Sequence, residues 1–332
     1  MQEYEMYELE DRTWEEKLQF LGANSATAIN SNNDLQSRTL TQDKLVTYGI
    51  LRFHGFPFPD IKAVGHPTRG FPGAASLGSV EAVAKYLETQ AVFPIFMKPI
   101  AGNAGAGSIW VDGYADGMLQ LRNGEKVSVG DYFERWLCRE GILLQAVARP
   151  HPEIAQRFGP RLATARIVVL VADSGPLVHR AVLRIPAGKN MVDNFQHGAS
   201  GNFLGAIEVQ TGFVTNVVGM NKDTRLVPTS THPDTGAPVV AWTLPDWEQA
   251  KDMCIRAAPL FPGIRYQSWD IAFTDQGPQT IEVNSGGDVE VLQMASGRGI
   301  ADDTWWKLFR EPKPRGLLRR LFIRNGPWNH RA

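Results

Sequence analysis

Hydrophobic and polar positions follow two different periods along this chain. In the first 90 residues the apolar positions recur with helical spacing, as in DKLVTYGILRFH, where Asp43 is the predicted N-cap. A second helix is predicted to begin near Ser79. Residues 1–22 are also predicted to be helical, whereas residues 22–41, rich in Asn and Ser, are predicted to form a polar loop.

Beyond residue 90 the pattern changes to that of β-strands. Short apolar or alternating segments are separated by Gly, Pro and Asp, which is typical of antiparallel hairpins. One interruption, from Pro245 to about Ala258, has helical spacing. No internal repeat is visible. The predicted class is therefore α+β, with strands in PIFMKPI, SIWVDG, ILLQAVA, ATARIVVLVADS, LVHRAVLRIPAG, GAIEVQTGFVTNVVGMN and WDIAFTDQGPQTIEVN.

Composition adds little beyond a folded protein with a sizeable core. The 332 residues are 43% hydrophobic and 21% charged, and the formal net charge of −1 argues against a general nucleic-acid binder. The two cysteines, Cys138 and Cys254, have no disulfide or metal-binding pattern, which favours a reducing compartment such as the cytoplasm. No secretory signal and no run of 18 apolar residues is present.

The C-terminal segment, residues 305–332, differs in charge from the rest. It holds eight Lys and Arg residues and one acidic residue, Glu311, together with several Trp, Leu and Phe residues. Basic residues beside bulky apolar ones suit a membrane headgroup interface or an acidic partner. Two interpretations of this segment therefore stay open: peripheral contact with the inner face of the membrane or with an acidic partner, and a surface helix that closes the core.

The hairpin WDIAFTDQGPQTIEVNSGGD carries an unusual set of polar residues. Because successive residues on a strand point to opposite faces, Asp270 is predicted to share a face with Glu282 and Asn284. A turn near Gln276–Gly277 places Asp270 opposite Glu282 or its neighbour. Two carboxylates that close repel unless a cation lies between them, and oxygen ligands favour Mg²⁺ or Mn²⁺ over Zn²⁺. A solvated acidic hairpin is the alternative.

The stretch PIFMKPIAGNAGAGS joins an apolar strand to a glycine-rich turn. Lys98 ends the strand, and Gly102, Gly105 and Gly107 follow. Glycines let the backbone fold closely around a phosphate, and the lysine adds a positive charge. The spacing is that of neither a P-loop nor a Rossmann turn. A merely flexible hairpin explains the same residues.

The stretch ILLQAVARPHPEI is compatible with an adenine-binding edge. Gln145 and the backbone of Ala146 and Val147 would supply polar contacts beside an apolar slot, with Glu153 near a ribose. A core strand that leaves its sheet explains these residues equally well.

Three arginines, Arg166, Arg180 and Arg184, lie within predicted strands. A buried guanidinium is costly without an anionic partner, and its planar fork suits a phosphate. Extension to the sheet edge is the alternative, and it is strongest for Arg180.

The loop MVDNFQHGASGNF follows these strands. Its Asp193 and Asn194 lie among glycines that allow close approach to a ligand, and His197 is either a proton shuttle or an ordinary loop histidine.

Taken in order, these motifs resemble the ATP-grasp superfamily of ATP-dependent ligases, and most of all its sugar-transfer-associated branch. The resemblance covers about residues 40–300 and is carried by DKLVTYGILRFHGFPFPD, FMKPIAGNAGAGS, TARIVVLV, LRIPAGKNMVDNFQHGASGNFLGAIE and WDIAFTDQGPQTIEVN. It implies two α+β subdomains that clamp ATP, with a lid subdomain at 91–150 and a larger, metal-binding subdomain at 151–304. A mainly helical segment, 1–90, precedes them and the basic tail follows.

The resemblance also implies a role for each matched residue. Lys98 would contact the ATP phosphates under a lid formed by Gly102–Gly107. Gln145 to Val147 would form the hinge beside adenine, with Glu153 and Asn194 completing the nucleotide contacts. The catalytic pair, Arg166 and Arg184, would face the transferred phosphoryl group. Of two Mg²⁺ ions, Asp270 would hold one, Glu282 would bridge both and Asn284 would complete the second.

The implied activity is that of a carboxylate–amine ligase that forms an acyl phosphate and releases ADP. Its substrates would be small molecules derived from sugars or amino acids. A phosphotransferase that acts on a hydroxyl or carboxyl group and a non-catalytic nucleotide-binding module are the alternatives. Many members place a βαβ substrate domain first, and the helical pattern of residues 1–90 departs from this, so the identity of the acid and of the amine is not implied.

Overall fold

The structure is a computed structural model, and it describes residues 7, 9–22, 25, 29, 32–102, 105–136, 140–190 and 192–310. Its helices are α1 (Trp14–Lys17), α2 (Leu35–Gln42), α3 (Lys44–Phe53), α4 (Val80–Thr89), α5 (Val129–Trp136), α6 (Pro152–Phe158), α7 (Trp247–Ala257), α8 (Val289–Ser296) and α9 (Asp303–Arg310). These helices cover two β-sheets, which confirms the predicted α+β class.

The first sheet contains β1 (Ile61–Gly65), β2 (Ala75–Leu77), β3 (Ile95–Pro99), β4 (Ile109–Ala115), β5 (Met118–Leu121), β6 (Lys126–Ser128) and β7 (Ile142–Ala146). Its strand order is β2-β1-β7-β3-β4-β5-β6. Only the β1–β2 pair is parallel among these neighbours. A core cluster joins Met97 and Val111 of the sheet to Leu87 of α4 and Phe133 of α5. The two helices therefore cover one face of this sheet.

The second sheet contains β8 (Thr164–Ala172), β9 (Gly175–Ile185), β10 (Phe203–Ile207), β11 (Phe213–Met220), β12 (Leu226–Pro228), β13 (Trp242–Thr243), β14 (Tyr266–Thr274) and β15 (Gly277–Asn284). Its order is β12-β11-β10-β9-β8-β14-β15, and β13 pairs with β11. Along β8, Ile167 belongs to the core cluster that contains α7, whereas its neighbour Val168 belongs to the cluster that contains α8 and α9. Because both faces are covered, β8 has an apolar run rather than an alternating pattern.

Three predicted helices are confirmed, because each has the apolar spacing of a helix and two of them also have a capping side chain. Asp43 accepts a hydrogen bond of 3.1 Å from the Val46 amide at the start of α3. The Ser79 hydroxyl accepts one of 3.2 Å from the Ala82 amide at the start of α4. The third is α7.

The polar loop predicted for residues 22–41 is wrong at its C-terminal end, where α2 forms. Asp34 caps this helix and also accepts a 3.1 Å hydrogen bond from the Ser37 hydroxyl. The helix packs against α3 and β15, so tertiary contacts outweigh its weak apolar pattern. The helix predicted for residues 1–22 is also wrong over most of the described range 9–22, where it shrinks to α1.

Strands β1 and β2 were not predicted from the sequence, so the expectation of a mainly helical segment before residue 90 is incomplete. Both strands are short, and β1 pairs through Ala63 with Leu144, far along the chain. Pairing between such distant segments leaves little local signal. The domain boundary at residue 90 stays a prediction, although β1 and β2 extend the sheet that follows it. Also missed were β5, β6, β12, β13, α5, α6 and α8, whereas α9 lies at the start of the segment for which a surface helix was the alternative.

The start of the basic C-terminal segment lies in α9. Trp305 and Leu308 are buried, and the Trp305 ring lies 5.4 Å from that of Tyr266. Residues 311–332, which hold most of the basic residues, lie outside the described residues, so contact with a membrane or an acidic partner stays a prediction. Among the described residues, no helix is long and apolar enough to cross a membrane.

Candidate functional site

A cavity of about 690 Å³ collects residues of both sheets and of α2. This volume is within the usual range for a small-molecule site. Twelve of the fourteen predicted site residues line it: Lys98, Gly102, Gly105, Gln145, Ala146, Val147, Arg166, Arg184, Asn194, Asp270, Glu282 and Asn284. Gly107 and Glu153 do not.

The hairpin of β14 and β15 has the predicted register. Asp270 lies opposite Glu282 and Ser268 lies opposite Asn284, and a bulge follows directly after Asp270. Because β-partners before the bulge point to the same face, Asp270, Glu282 and Asn284 come together on the side that lines the cavity.

Two arginines from neighbouring strands hold Asp270. The Nε and Nη2 atoms of Arg166 donate hydrogen bonds to its two oxygens at 2.9 and 3.0 Å, and Nη2 of Arg184 lies 3.0 Å from Oδ2. Burial alone would raise the pKa of Asp270, but the two guanidinium groups outweigh it and lower that pKa. Asp270 therefore stays ionised and fixes both arginines at the cavity wall.

Arg180, the third strand arginine, lies elsewhere. Its Nη2 atom donates to Oδ2 of Asp302 at 2.6 Å, and Oδ1 of the same carboxylate lies 2.9 Å from Nε2 of His179. Arg180 does not line the cavity. It therefore forms a separate ion pair beside the start of α9.

The loop after β9 positions Arg184. Asp193 accepts hydrogen bonds from the Thr164 amide at 2.8 Å and the Thr164 hydroxyl at 2.6 Å, and the same hydroxyl accepts from Nη2 of Arg184 at 2.6 Å. Asn194 accepts from Nη1 of Arg184 at 3.1 Å. Burial raises the pKa of Asp193, and the Arg184 charge only partly opposes it. His197, whose side chain is 71% exposed, lies 3.3 Å from Glu290 at the cavity rim.

Lys98 is buried and is held by a tyrosine that the sequence analysis missed. Its Nζ atom donates to the Tyr48 hydroxyl at 2.8 Å, and that hydroxyl donates to the Ile281 carbonyl at 2.6 Å. Burial lowers the pKa of Lys98 to about 8, although the carboxylates of Glu282 and Asp270 partly oppose the shift. Tyr48 lies on the buried face of α3, so its sequence signal is that of a core residue.

Lys44, at the start of α3, was also missed. Its Nζ atom lies 3.3 Å from Oε1 of Glu282 and donates to the Gly102 carbonyl at 3.0 Å. It therefore links the glycine-rich turn to the acidic strand, which only the folded chain brings together.

The predicted adenine edge is partly engaged in contacts within the protein. The Gln145 side chain donates to the Pro59 carbonyl at 3.0 Å, and the Ala146 amide donates to the Asp60 carbonyl at 2.9 Å. Both groups fasten β7 to the segment before β1. Glu153 is exposed on α6. The adenine and ribose contacts stay predictions.

The acidic face fits a divalent cation with oxygen ligands. An ionised carboxylate offers about four lone-pair sites. Asp270 uses three of them for guanidinium contacts, and Glu282 has one ion pair, with Lys44. The side-chain amide of Asn284 makes no hydrogen bond within the described part of the chain. Those residues contain no group of three or more His, Cys, Asp or Glu side chains that could hold a metal. Such a donor set suits Mg²⁺, which takes few carboxylates and completes its shell with phosphates and water.

Positive charge exceeds negative charge around the cavity. Among the described residues its lining includes six basic side chains and four acidic ones. The basic ones are Arg38, Lys44, Lys98, Arg161, Arg166 and Arg184, and the acidic ones are Asp193, Asp270, Glu282 and Asp288. This balance favours a polyanionic ligand.

Comparison with known proteins shows both a family and a fold. Residues 24–304 match the family model described as sugar-transfer associated ATP-grasp. No curated protein matched the sequence. Biotin carboxylase from Campylobacter jejuni, solved as a complex with β-γ-ATP, superposes with a TM-score of 0.50 at 12% identity, over 86% of this chain and 49% of that one. This chain therefore spans about half the length of the carboxylase.

Two further solved structures superpose with lower TM-scores. The D-alanine-D-alanine ligase of Coxiella burnetii has a TM-score of 0.49 at 12% identity, over 88% of this chain and 62% of its own. The biotin carboxylase domain of Hydrogenobacter thermophilus 2-oxoglutarate carboxylase, solved with MgADP and bicarbonate, has a TM-score of 0.43 at 12% identity, over 81% and 45%.

Proposed function

This chain belongs to the sugar-transfer-associated ATP-grasp family, and from that premise we propose that it is an ATP- and Mg²⁺-dependent ligase. It joins the carboxylate of one small molecule to the amine of another and releases ADP. The observation that supports this most is the convergence on one cavity of Lys98, the Arg166–Asp270–Arg184 cluster, and the Glu282–Asn284 strand.

Phosphoryl transfer needs positioned groups and charge neutralisation more than a side-chain nucleophile. Lys98 and the two arginines supply positive charge that is already oriented, because Tyr48 holds the first and Asp270 holds the others. Glu282 and Asn284, with Asp270, would hold Mg²⁺, which neutralises phosphate charge when bound.

The proposed reaction also requires that its intermediate be protected from water. An acyl phosphate formed on the acid substrate must meet an amine before it meets water. The glycine-rich turn, fastened through Gly102 to Lys44, would close over this intermediate. The amine then displaces phosphate and forms the amide bond.

The test is an ADP-release screen with the full chain, ATP and Mg²⁺. Uronic acids and amino acids form the first panel of acid–amine pairs, and products are identified by mass. We expect ADP only when both cosubstrates are present, with a product equal to their sum minus water. AMP as the product contradicts the proposal, and a stable phosphorylated product from one cosubstrate identifies a phosphotransferase instead.

We expect kcat/KM for ATP to fall above about pH 8, because the pKa of Lys98 is lowered to about 8. Above that pH the side chain loses its proton and its attraction for phosphate. The kcat/KM profile between about pH 6.5 and 9.5 measures this, since it reports ionisations of the free enzyme. In Lys98→Arg the guanidinium stays charged, so the fall in kcat/KM above about pH 8 should disappear. If that fall is unchanged in Lys98→Arg, the ionisation of Lys98 does not cause it.

We expect Gly105→Ala to weaken ADP binding about tenfold, an order of magnitude typical of a displaced site group. Gly105 has a φ of +74°, and an added Cβ would lie 2.8 Å from Nδ2 of Asn194, the residue that holds Arg184. Gly117→Ala is the matched control, because its φ is +75° and nothing lies within 4 Å of the new Cβ. Both variants have the same backbone strain, and only the first displaces Asn194. Equal calorimetric affinities for the two variants would remove this loop from the site.

A further inference from the structure

The helix α2 forms a wall of the cavity that none of the nucleotide or metal assignments uses. Arg38, Thr41 and Gln42 line the cavity. Their spacing of three and four residues places them on one face of the helix. The helix packs against β15, the strand that carries Glu282 and Asn284. This face therefore lies beside the acidic part of the site.

Among the six basic side chains that line the cavity within the described residues, five have a partner. Lys44 pairs with Glu282, and Lys98 bonds to Tyr48. Arg161 contacts Asp234 at 2.5 Å. Arg166 and Arg184 share Asp270.

Arg38 is the exception. Its guanidinium has no hydrogen bond or ion pair with any described residue, and its Nε atom is buried without a partner. A buried donor without an acceptor destabilises the folded protein. Arg12 and Arg157 also have a buried Nε atom without a partner, but neither lines the cavity. Arg38 does line it, so a ligand in the cavity could supply the missing acceptor.

The chemistry of Arg38 restricts that ligand. A guanidinium presents a planar fork that matches a carboxylate or a phosphoryl group. The cations that the ligase mechanism uses are Lys98, Arg166 and Arg184, which all stand on strands. Arg38 stands on a helix that precedes both sheets. Because none of the nucleotide or metal assignments uses Arg38, it is available to contact a substrate.

We propose that Arg38 binds a second anionic group of the acid substrate, distinct from the carboxylate that reacts. The proposal rests on the ligase function above. It predicts that the acid substrate is a dicarboxylate or carries both a carboxylate and a phosphoryl group, and that Arg38 selects it over acids with a single charge.

Calorimetric titration of the full chain saturated with MgADP tests this with two probe pairs. Succinate is compared with butyrate, and 3-phosphoglycerate with glycerate, so each pair differs by one anionic group. We expect at least one two-anion probe to bind roughly tenfold or more tighter than its partner, as for a charge-assisted hydrogen bond. A difference in affinity between succinate and butyrate indicates that Arg38 binds a carboxylate. A difference between 3-phosphoglycerate and glycerate indicates that it binds a phosphoryl group. In Arg38→Gln this ratio should fall to about one, and Arg38→Lys should keep part of it.

The control is Arg256→Gln, which removes an exposed arginine of α7 that pairs with Asp252. It should preserve the ratio. Probes that bind no better than their single-charge partners overturn the proposal, as does a ratio that survives in Arg38→Gln. If Arg38→Gln weakens MgADP binding as much as it weakens binding of the two-anion probe, the proposal is also overturned, because Arg38 would then contact the nucleotide. These readouts are independent of turnover, so absence of ADP release would contradict the ligase function and not this assignment.

Discussion

Glu282→Gln is expected to lower kcat by about two to three orders of magnitude, the range seen when one electrostatic contact to a transition state is removed. The substitution keeps the size of the side chain but removes the charge that would bind Mg²⁺ beside Asn284. Because the ion pair with Lys44 is partly solvated, with Glu282 22% exposed, the fold should tolerate the change. We expect the free energy of unfolding to stay within about 1 kcal/mol of the original value.

Steady-state ADP release and urea unfolding measure the two effects separately. Glu248→Gln is the control, since Glu248 is an exposed residue of α7 that pairs with Lys251. It should change neither quantity. Unchanged turnover in Glu282→Gln would remove the metal assignment from β15, whereas loss of turnover together with unfolding would show only a structural role.

Asp270→Asn is expected to destabilise the fold by about 3–5 kcal/mol, as when one partner of a buried ion pair is removed. Asp270 is 3% exposed and is the shared counter-ion of Arg166 and Arg184. Asparagine leaves both guanidinium groups buried without that charge. Activity should be lost as well, because the arginines are then no longer fixed at the cavity wall.

Urea unfolding followed by circular dichroism measures this, with Asp252→Asn as the control. That variant breaks the exposed pair with Arg256, where Asp252 is 60% exposed, so the effect should be below about 1 kcal/mol. A loss in Asp270→Asn no larger than in the control would show that the arginines do not depend on Asp270.

Local pattern in the sequence was enough to predict the hairpin and to place Asp270 opposite Glu282 or its neighbour, and the bulge after Asp270 decides between the two. Strand periodicity places Asp270, Glu282 and Asn284 on one face, and their pairing in the structure agrees. The same reasoning predicted the cap of α3 at Asp43, since capping depends on neighbouring residues alone.

Contacts between distant segments could not be predicted in this way. Arg166 and Asp270 lie opposite each other on β8 and β14, but nothing in either strand specifies the other as its neighbour. The sequence therefore indicated that Arg166 needs an anionic partner, but it did not identify Asp270 as that partner. Tyr48 and Lys44 were missed for the same reason, because each reaches the site only when α3 packs beside β15.

The position of Arg38 was not predicted, because residues 22–41 were assigned to a polar loop. As part of a predicted polar loop it had no fixed neighbours, and only the helical spacing of α2 places it on the cavity wall with Thr41 and Gln42. That Arg38 has no partner among the described residues, whereas the other basic side chains of the cavity have one, is visible only in the folded protein.

In the proposed function, this cavity binds a magnesium nucleotide through β15. Calorimetric titration of the full chain with ADP, with and without Mg²⁺, tests it most directly. We expect saturable binding that weakens roughly tenfold or more without Mg²⁺, a difference of about 1.4 kcal/mol or more. This Mg²⁺ dependence should disappear in Glu282→Gln. Equal ADP affinity with and without Mg²⁺ in the unsubstituted chain, or no binding at all, would contradict it.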